Sequence, residues 1–195
     1  HAKDLAVPAS TTKIKVIEAL DGQLITNSLV ADAKIEDGNY VSDTENDVLK
    51  MVCVNRYSDS PVAIAFIKNF GLKHGAIASS VAHDSHNIIA VGTDDDSMSK
   101  AINLIIEARG GISLSSPTHQ EILPLPVGGL MSADDGYKIA ERYSHIDQLA
   151  KSHGSTLKSP FMSLSFMALL VIPHLKLSDK GLFDGDTFQF TSISA

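Results

Sequence analysis

The stretch that decides the fold is GAIASSVAHDSHNIIAVGT, which runs from Gly75 to Thr93. It contains two apolar, β-prone runs, one around Ile77 and one from Ile88 onward, and this pattern predicts two buried strands or one interrupted strand. Between the runs lie five consecutive polar residues, which we call the polar pentad: His83, Asp84, Ser85, His86 and Asn87. Because burial of such groups without partners is costly, the pentad is predicted to face a functional site.

The alternative for the polar pentad is an ordinary turn. Asp, Ser and Asn are common in turns, where their side chains bond nearby backbone groups, and both histidines could be satisfied residues of a hairpin. Spacing alone leaves the two interpretations open.

Composition restricts the class of protein. The 195 residues are 44% hydrophobic and 20% charged, which is typical of one substantial globular domain. The net charge of −7 argues against nucleic acid or an anionic membrane surface as a partner. The longest apolar run, residues 161–172, is too short to span a bilayer.

The single cysteine and the first residue both bear on context. Cys53 lies in the apolar run VLKMVCV and is predicted to be a small buried hydrophobe. One cysteine forms no intrachain disulfide, so a reducing cytoplasm is expected. The chain begins at His1 and not at Met, so we expect a processed chain, a cloned piece or a tag remnant.

The periodicity predicts an α+β fold with a mixed, largely buried sheet and about three helices, preceded by a small N-terminal β-meander that could form a separate layer. The meander covers residues 1–40, with Asp-Gly turns at 21–22 and 37–38. Further strands are predicted at residues 48–54, 62–67, 111–115, 121–125 and 187–193. Helices are predicted from residues 93–96 to Arg109, from Ser132 or Asp134 to near Gly154, and from Ser159 to Ile172. A turn-rich connection is predicted at residues 175–184.

Four kinds of catalytic site were compared with the sequence. A metal site built from the pentad alone is disfavoured, since His83 and His86 point to opposite faces of a strand. A Ser-His-Asp triad lacks a GxSxG elbow, and the phosphate motifs GxxxxGK[ST] and GxGxxG are absent. One cysteine excludes the zinc site of cytidine deaminases. A hydrogen-bonding and proton-transferring pentad at the mouth of a pocket remains.

Three blocks carry a family resemblance: GLKHGAIASSVAHDSHNIIAVGTDD, LPLPVGGLMS and PFMSLSFMALLVIPHLKLSDKGLFD. They resemble the C-terminal domain of bacterial adenine deaminases, in the amidohydrolase superfamily, and the resemblance covers residues 13–195. It implies an enzyme of purine salvage that hydrolyses adenine to hypoxanthine and ammonia at a divalent metal centre, Mn or Fe. The metal ligands are expected in an N-terminal (β/α)8 barrel that this chain lacks, so the chain alone is expected to be incomplete and inactive.

The resemblance also implies an organisation and a site. Residues 1–40 would be the meander returning from the barrel, and residues 41–195 the C-terminal domain, with the barrel, adenine and further copies of the chain as partners. The pentad would cover the active site and orient substrate or transfer protons without binding metal. Arg56, Ser79 and Ser80 would contact substrate. The competing hypothesis is a structural, oligomerisation or small-molecule-binding domain whose signature blocks serve packing against the barrel and a second subunit.

Three departures from the family pattern stand out. Where the family tends to have an acidic residue, Arg and His, this chain has Asn55, Arg56 and Tyr57. It also has Asn69 where glycine is usual and Leu170 where proline is usual. Altered activity is the expected consequence if the missing histidine takes part in catalysis.

Overall fold

The computed structural model describes residues 1–195 and is built on one eight-stranded sheet, with the strand order β10-β9-β7-β8-β5-β6-β1-β2. The strands of this sheet are β1 Lys13–Ala19, β2 Thr26–Asp32, β5 Val48–Val54, β6 Ala63–Lys68, β7 Ala76–Ser79, β8 Ile88–Gly92, β9 Gly111–Ser115 and β10 Gln120–Pro124. The helices are a 3-10 helix at Ala2–Leu5, α1 Asp95–Ala108, α2 Gly136–Ser152 and α3 Pro160–Ser165. The predicted α+β fold with a mixed sheet and three α-helices is confirmed.

Two smaller sheets complete the fold. A hairpin pairs β3 Ile35–Glu36 with β4 Asn39–Tyr40, and a second sheet holds β11 Leu175–Ser178, β12 Gly181–Asp184 and β13 Gln189–Phe190. The turn-rich connection predicted for residues 175–184 is therefore wrong, because Leu175 and Leu177 are buried ladder residues of a hairpin. The predicted last strand, residues 187–193, shrinks to two residues.

The N-terminal meander extends the main sheet. Strands β1 and β2 form the antiparallel hairpin that the Asp21-Gly22 turn predicts. Strand β1 also pairs in parallel with β6, through Ile17 and Ile67, so the meander does not form a separate layer. Every other neighbouring pair in the main sheet is antiparallel. The domain boundary at residue 40 stays a prediction.

Both faces of the sheet are covered, as the continuous apolar strands predict. On one face, Met51, Ile77 and Ile89 pack in a core of 27 buried residues that includes Ile146 of α2 and Phe161 of α3. On the other face, a core of ten residues joins the central strands to α1 and to the 3-10 helix. Alternate residues of β5, β7 and β8 thus enter different cores.

The helix boundaries follow local capping. Helix α1 starts where the Asp94 carboxylate accepts the Ser97 N–H, within the predicted range, and it ends at Arg109 in the left-handed conformation. The cap of α2 is Asp135 and not Ser132 or Asp134, because its carboxylate accepts the N–H groups of the first helical turn. None of the helices combines the length and the apolar character needed to cross a membrane.

The third predicted helix is much shorter than expected. Helix α3 stops at Ser165, and the following residues form successive tight turns, with Met167, Leu169 and Ile172 each bonding the carbonyl three residues earlier. The Ser165 hydroxyl donates to the Met162 carbonyl, a local bond that competes with a regular helix. Apolar composition predicted burial here but could not set the backbone period.

Candidate functional site

The polar pentad lies at one edge of the main sheet, where five strands begin or end. The register places the last residue of β5, Val54, beside the first of β8, Ile88, and it places the end of β7, Ser79, beside Ile112 near the start of β9. Strand β10 ends at the same edge, where Pro124 pairs with Gly111. We call this the site edge. Its loops are residues 55–62, 80–87, 109–110 and 125–131.

Within the pentad, burial differs sharply from one residue to the next. Asp84 and Ser85 are exposed, His83 and His86 are partly buried, and Asn87 is buried. The His83 ring stacks on Phe166 with centroids 4.9 Å apart, and it meets the His86 ring edge-on at 5.7 Å. The pentad is therefore a shaped surface whose two imidazoles are held by packing.

His86 is the most unusual residue of the pentad. Its Nδ1 atom is buried and has no hydrogen-bond partner, although the majority of buried side-chain polar atoms have one. Its backbone lies in the left-handed region at φ 54°, which is uncommon for a residue with a side chain. An unpaired buried ring nitrogen on a strained backbone is typical of a functional position.

The protonation of His86 follows from its surroundings. Burial, together with the electrostatic influence of the neighbouring His83 and Arg56 side chains, lowers the pKa of His86 below its ordinary value. At neutral pH the imidazole is therefore neutral and offers one donor and one acceptor nitrogen, which suits it to accept or relay a proton.

Asn87 connects the pentad to Arg56. Its side-chain oxygen accepts the backbone N–H of Arg56 at 3.1 Å, and its amide nitrogen donates to the Ser85 hydroxyl at 3.2 Å. The Tyr57 hydroxyl donates to the Ser85 carbonyl at 3.0 Å. The structure thus brings the pentad and Arg56 together, and Asn87 acts as the bridge.

The Arg56 guanidinium lies on a glycine turn. Its Nη2 donates to the Gly128 carbonyl at 2.9 Å, and a Cβ added to Gly129 would come within 1.7 Å of its Nη1. Gly128 and Gly129 have φ of 66° and 78°, so the turn needs residues that tolerate the left-handed region. The segment LPLPVGGLMS therefore forms the surface on which the Arg56 side chain lies.

Ser79 and Ser80 are buried and bonded internally. The Ser80 hydroxyl accepts the Gly111 N–H at 2.8 Å and donates to the Gly129 carbonyl at 2.6 Å, while Ser79 bonds the Val81 backbone. Both residues are at most 1% exposed. This geometry gives them the role of fixing the glycine turn and the loop after β7, and it leaves the Ser80 hydroxyl no spare proton for a ligand.

Comparison with known proteins identifies the family of this chain. The model of the adenine deaminase C-terminal domain matches residues 23–189, which is most of the chain. The chain belongs to the adenine deaminase C-terminal domain family. An adenine deaminase of Methanosarcina acetivorans is 53% identical over 202 positions, covering 100% of this chain and 36% of the relative. One from Salinibacter ruber is 49% identical over 96% of this chain, and one from Borreliella afzelii is 44% identical.

Two properties of these adenine deaminases, their length and their organisms, limit what the similarity shows. The chain spans about a third of the length of the curated relatives it matches, 36% and 34% for the first and last named above. Some of the relatives are archaeal, so the resemblance to bacterial adenine deaminases is too narrow a description. The comparisons support the family and leave the roles of individual residues as predictions.

The sequence did not predict several residues that shape the site edge of this adenine deaminase domain. Asp179 accepts a hydrogen bond from Asn55 at 2.8 Å, and the Ser165 carbonyl accepts the His83 N–H at 2.9 Å. Phe166 supplies the surface on which His83 stacks. These partners lie more than 80 positions away along the chain, and only the quoted signature blocks, which contain all three, pointed to them.

Proposed function

We propose that the chain is the C-terminal part of an adenine deaminase that hydrolyses adenine to hypoxanthine and ammonia in purine salvage. The site edge would cover the active site of a catalytic barrel formed by the preceding part of the protein. Support comes from the family, from relatives named adenine deaminase, and from the third of their length that the chain spans. The chain alone would then be inactive.

The observation that carries the proposal is the unpaired Nδ1 of His86. A buried ring nitrogen without a partner costs stability unless something else repays that cost. A substrate atom or a group of the barrel that approaches the site edge would supply the missing hydrogen bond. His86 would then accept or relay a proton, and Asn87 would hold Arg56 in place for contact with substrate.

The divalent metal, Mn or Fe, is proposed to be bound by the barrel. In this chain no three His, Cys, Asp or Glu side chains come together in a set that could hold a metal ion, and the His83 and His86 rings contact each other edge to face. When bound in the barrel, the metal would activate the attacking water. The residues of this chain are assigned only binding, orientation and proton transfer.

Two further statements belong to the proposal. We place the enzyme in the cytoplasm, because Cys53, the single cysteine of this chain, is a buried thiol whose pKa burial raises to about 12 and which has no disulfide partner within the chain. We also propose that complete proteins associate with one another as homo-oligomers.

Exposed apolar side chains at the site edge, Val127 at 44% and Met131 at 59%, favour the second candidate, a structural or oligomerisation domain. In that role the site edge would be buried against a second copy, and the pentad would fill an interface. Size-exclusion chromatography with light scattering of the isolated chain separates the candidates. A monomer with the site edge exposed supports the enzyme, and a tight dimer that protects residues 83–87 from hydrogen exchange supports the structural role.

The decisive experiment is His86→Ala in the complete protein that contains this chain, with His74→Ala as the matched control. His74 is exposed and lies before β7, at the opposite edge of the sheet. Loss of a proton-transfer group should lower kcat for adenine about 100-fold or more, with the bound metal unchanged. The control should keep both.

Other outcomes would overturn parts of the proposal. Loss of metal with the fold intact would make the pentad part of a ligand set. Unchanged turnover in His86→Ala would restore the ordinary turn. An open reading frame without a preceding domain would remove the barrel on which the whole proposal depends.

A further inference from the structure

A cleft lies at the site edge beside the polar pentad. Its volume is about 460 Å³, and we call it the arginine cleft. The accessible apolar side chains that line part of it are those of Val54, Ile106 and Pro126, and Arg56, Arg109 and the Gly128–Gly129 turn line another part. A volume of this size falls in the range of small-molecule sites, roughly 300–1,000 Å³.

The charges around the arginine cleft are not balanced by the protein. The chain has three arginines and a net charge of −7, yet two of the three line this cleft and none of its lining residues is acidic. No carboxylate lies within 4.0 Å of either guanidinium. Two unpaired guanidinium groups in an acidic protein indicate a site for an anion.

Hydrogen-bond donors are also left free around the arginine cleft. Arg56 uses only Nη2, toward the Gly128 carbonyl and the Tyr57 hydroxyl, which leaves Nε and Nη1 without acceptors. The Arg109 side chain makes no hydrogen bond, and its only recorded bonds are those of its backbone N–H. Gly129 is buried, and its N–H has no acceptor in the chain, which is rare for a buried backbone group.

Local roles explain each arginine only in part. Arg109 follows the last residue of α1, where a positive charge interacts favourably with the helix dipole. Arg56 lies 5.2 Å from the centroid of the Tyr57 ring, a favourable cation–π distance. Neither role requires that both side chains line the same cleft, or that the cleft lack every acidic group.

We propose that the arginine cleft binds a small molecule that carries a phosphate monoester on an apolar body. The planar guanidinium fork matches phosphate oxygens in a bidentate manner, and a phosphate with a charge near −2 balances two arginines. The apolar surface formed by Val54, Ile106 and Pro126 accommodates the rest of the ligand. This inference does not depend on the proposed deaminase activity, and its readout is binding and not turnover.

The test is isothermal titration calorimetry of the 195-residue chain with adenosine monophosphate. Inorganic phosphate and the uncharged nucleoside adenosine are the comparison probes. Arg109→Gln removes one charge without touching the pentad, and it should weaken binding of the monophosphate about tenfold or more. Arg142→Gln is the matched control, because that exposed arginine bonds the Ile122 carbonyl outside the cleft and should leave binding unchanged.

The remaining probes define the ligand class. Adenosine should bind at least tenfold more weakly than the monophosphate, and added salt should weaken the monophosphate further. Binding by inorganic phosphate that is as tight as binding by the monophosphate would overturn the apolar body. No saturable binding, or equal binding by the Arg109→Gln variant, would overturn the site. Binding by the chain that disappears in the complete protein would assign both arginines to a contact with the preceding domain.

Discussion

Replacing Ser80 with alanine separates a structural role from a substrate contact at this position. The Ser80 hydroxyl is completely buried and joins the Gly111 N–H, at 2.8 Å, to the Gly129 carbonyl, at 2.6 Å. The Ala variant loses both bonds and leaves a buried donor and a buried acceptor unpaired. Such losses add up to about 2–4 kcal/mol of unfolding free energy.

The assay for Ser80→Ala is thermal and urea unfolding of the isolated chain, with Ser144→Ala as the control. For a chain of this length the loss corresponds to a fall in Tm of roughly 4–16 °C. Ser144 is exposed on α2 and bonds the carbonyl of Ala140, so its variant should stay within about 0.5 kcal/mol of the wild type.

The refuting result is a Ser80→Ala chain as stable as the control variant. The glycine turn would then not be anchored by the hydroxyl. If the complete enzyme carrying the same substitution also lost affinity for adenine, Ser80 would be a substrate contact after all. Lower stability with unchanged affinity per folded molecule is the expected result.

Two further predictions concern buried lysines. Burial lowers the pKa of Lys176 to about 8 from 10.5, and its ammonium group bonds only the Leu24 and Phe166 carbonyls. Between pH 8 and pH 10.5 the unfolded chain binds more protons than the folded chain, so the free energy of unfolding should rise with pH in this window, by at most about 3 kcal/mol. Urea titrations at several pH values should show this rise for the wild type and a flatter profile for Lys176→Met. A wild-type profile with the same slope as the variant would contradict this. Lys50 is 2% exposed, and its ammonium group contacts Asp95 at 2.6 Å and the Leu5 carbonyl at 2.9 Å. Lys50→Ala should therefore lower the free energy of unfolding by about 2–4 kcal/mol and speed proteolysis within residues 1–9. The control Lys100→Ala, at an exposed position, should do neither. Equal cleavage rates in all three chains would show that Lys50 does not hold the N-terminal segment.

The elements that the sequence predicts well are those with a local cause. Alternating side chains and two Asp-Gly turns located the N-terminal strands, and a continuous apolar run located β5. Asn69 is similar: it stands where the family usually has glycine, and its φ of 73° explains that preference, while its side chain bonds the Ala19 carbonyl. The residue type in a sequence therefore indicates a local backbone requirement of this kind.

The elements that the sequence predicts badly depend on distant contacts. Residues 175–184 carry glycine and polar residues typical of a loop, yet they form a hairpin because Leu175, Leu177 and Leu182 pack in the core under the sheet. The apolar run after Ser165 forms successive tight turns, and its residues Met167 and Ala168 pack in the same core as the hairpin. Pattern alone does not contain this information.

The candidate site divides in the same way. The pentad was predictable, since five polar residues between two buried strands are conspicuous. Its bonds to Arg56 and Tyr57 depend on which strands are neighbours, and the unpaired Nδ1 of His86 is a property of packing alone. The arginine cleft joins residues 56, 109 and 128–129, which no sequence motif connects.

The most direct test of the proposed role of the site edge is hydrogen exchange measured on the isolated chain and on the complete protein. Amides of residues 83–87 should exchange at least tenfold more slowly in the complete protein, because the preceding domain would cover them. Residues 44–47 and 73–75, at the opposite edge, should exchange equally in both. Equal exchange of residues 83–87 in the two proteins, or protection at the opposite edge instead, would contradict the proposal that the polar pentad covers an active site.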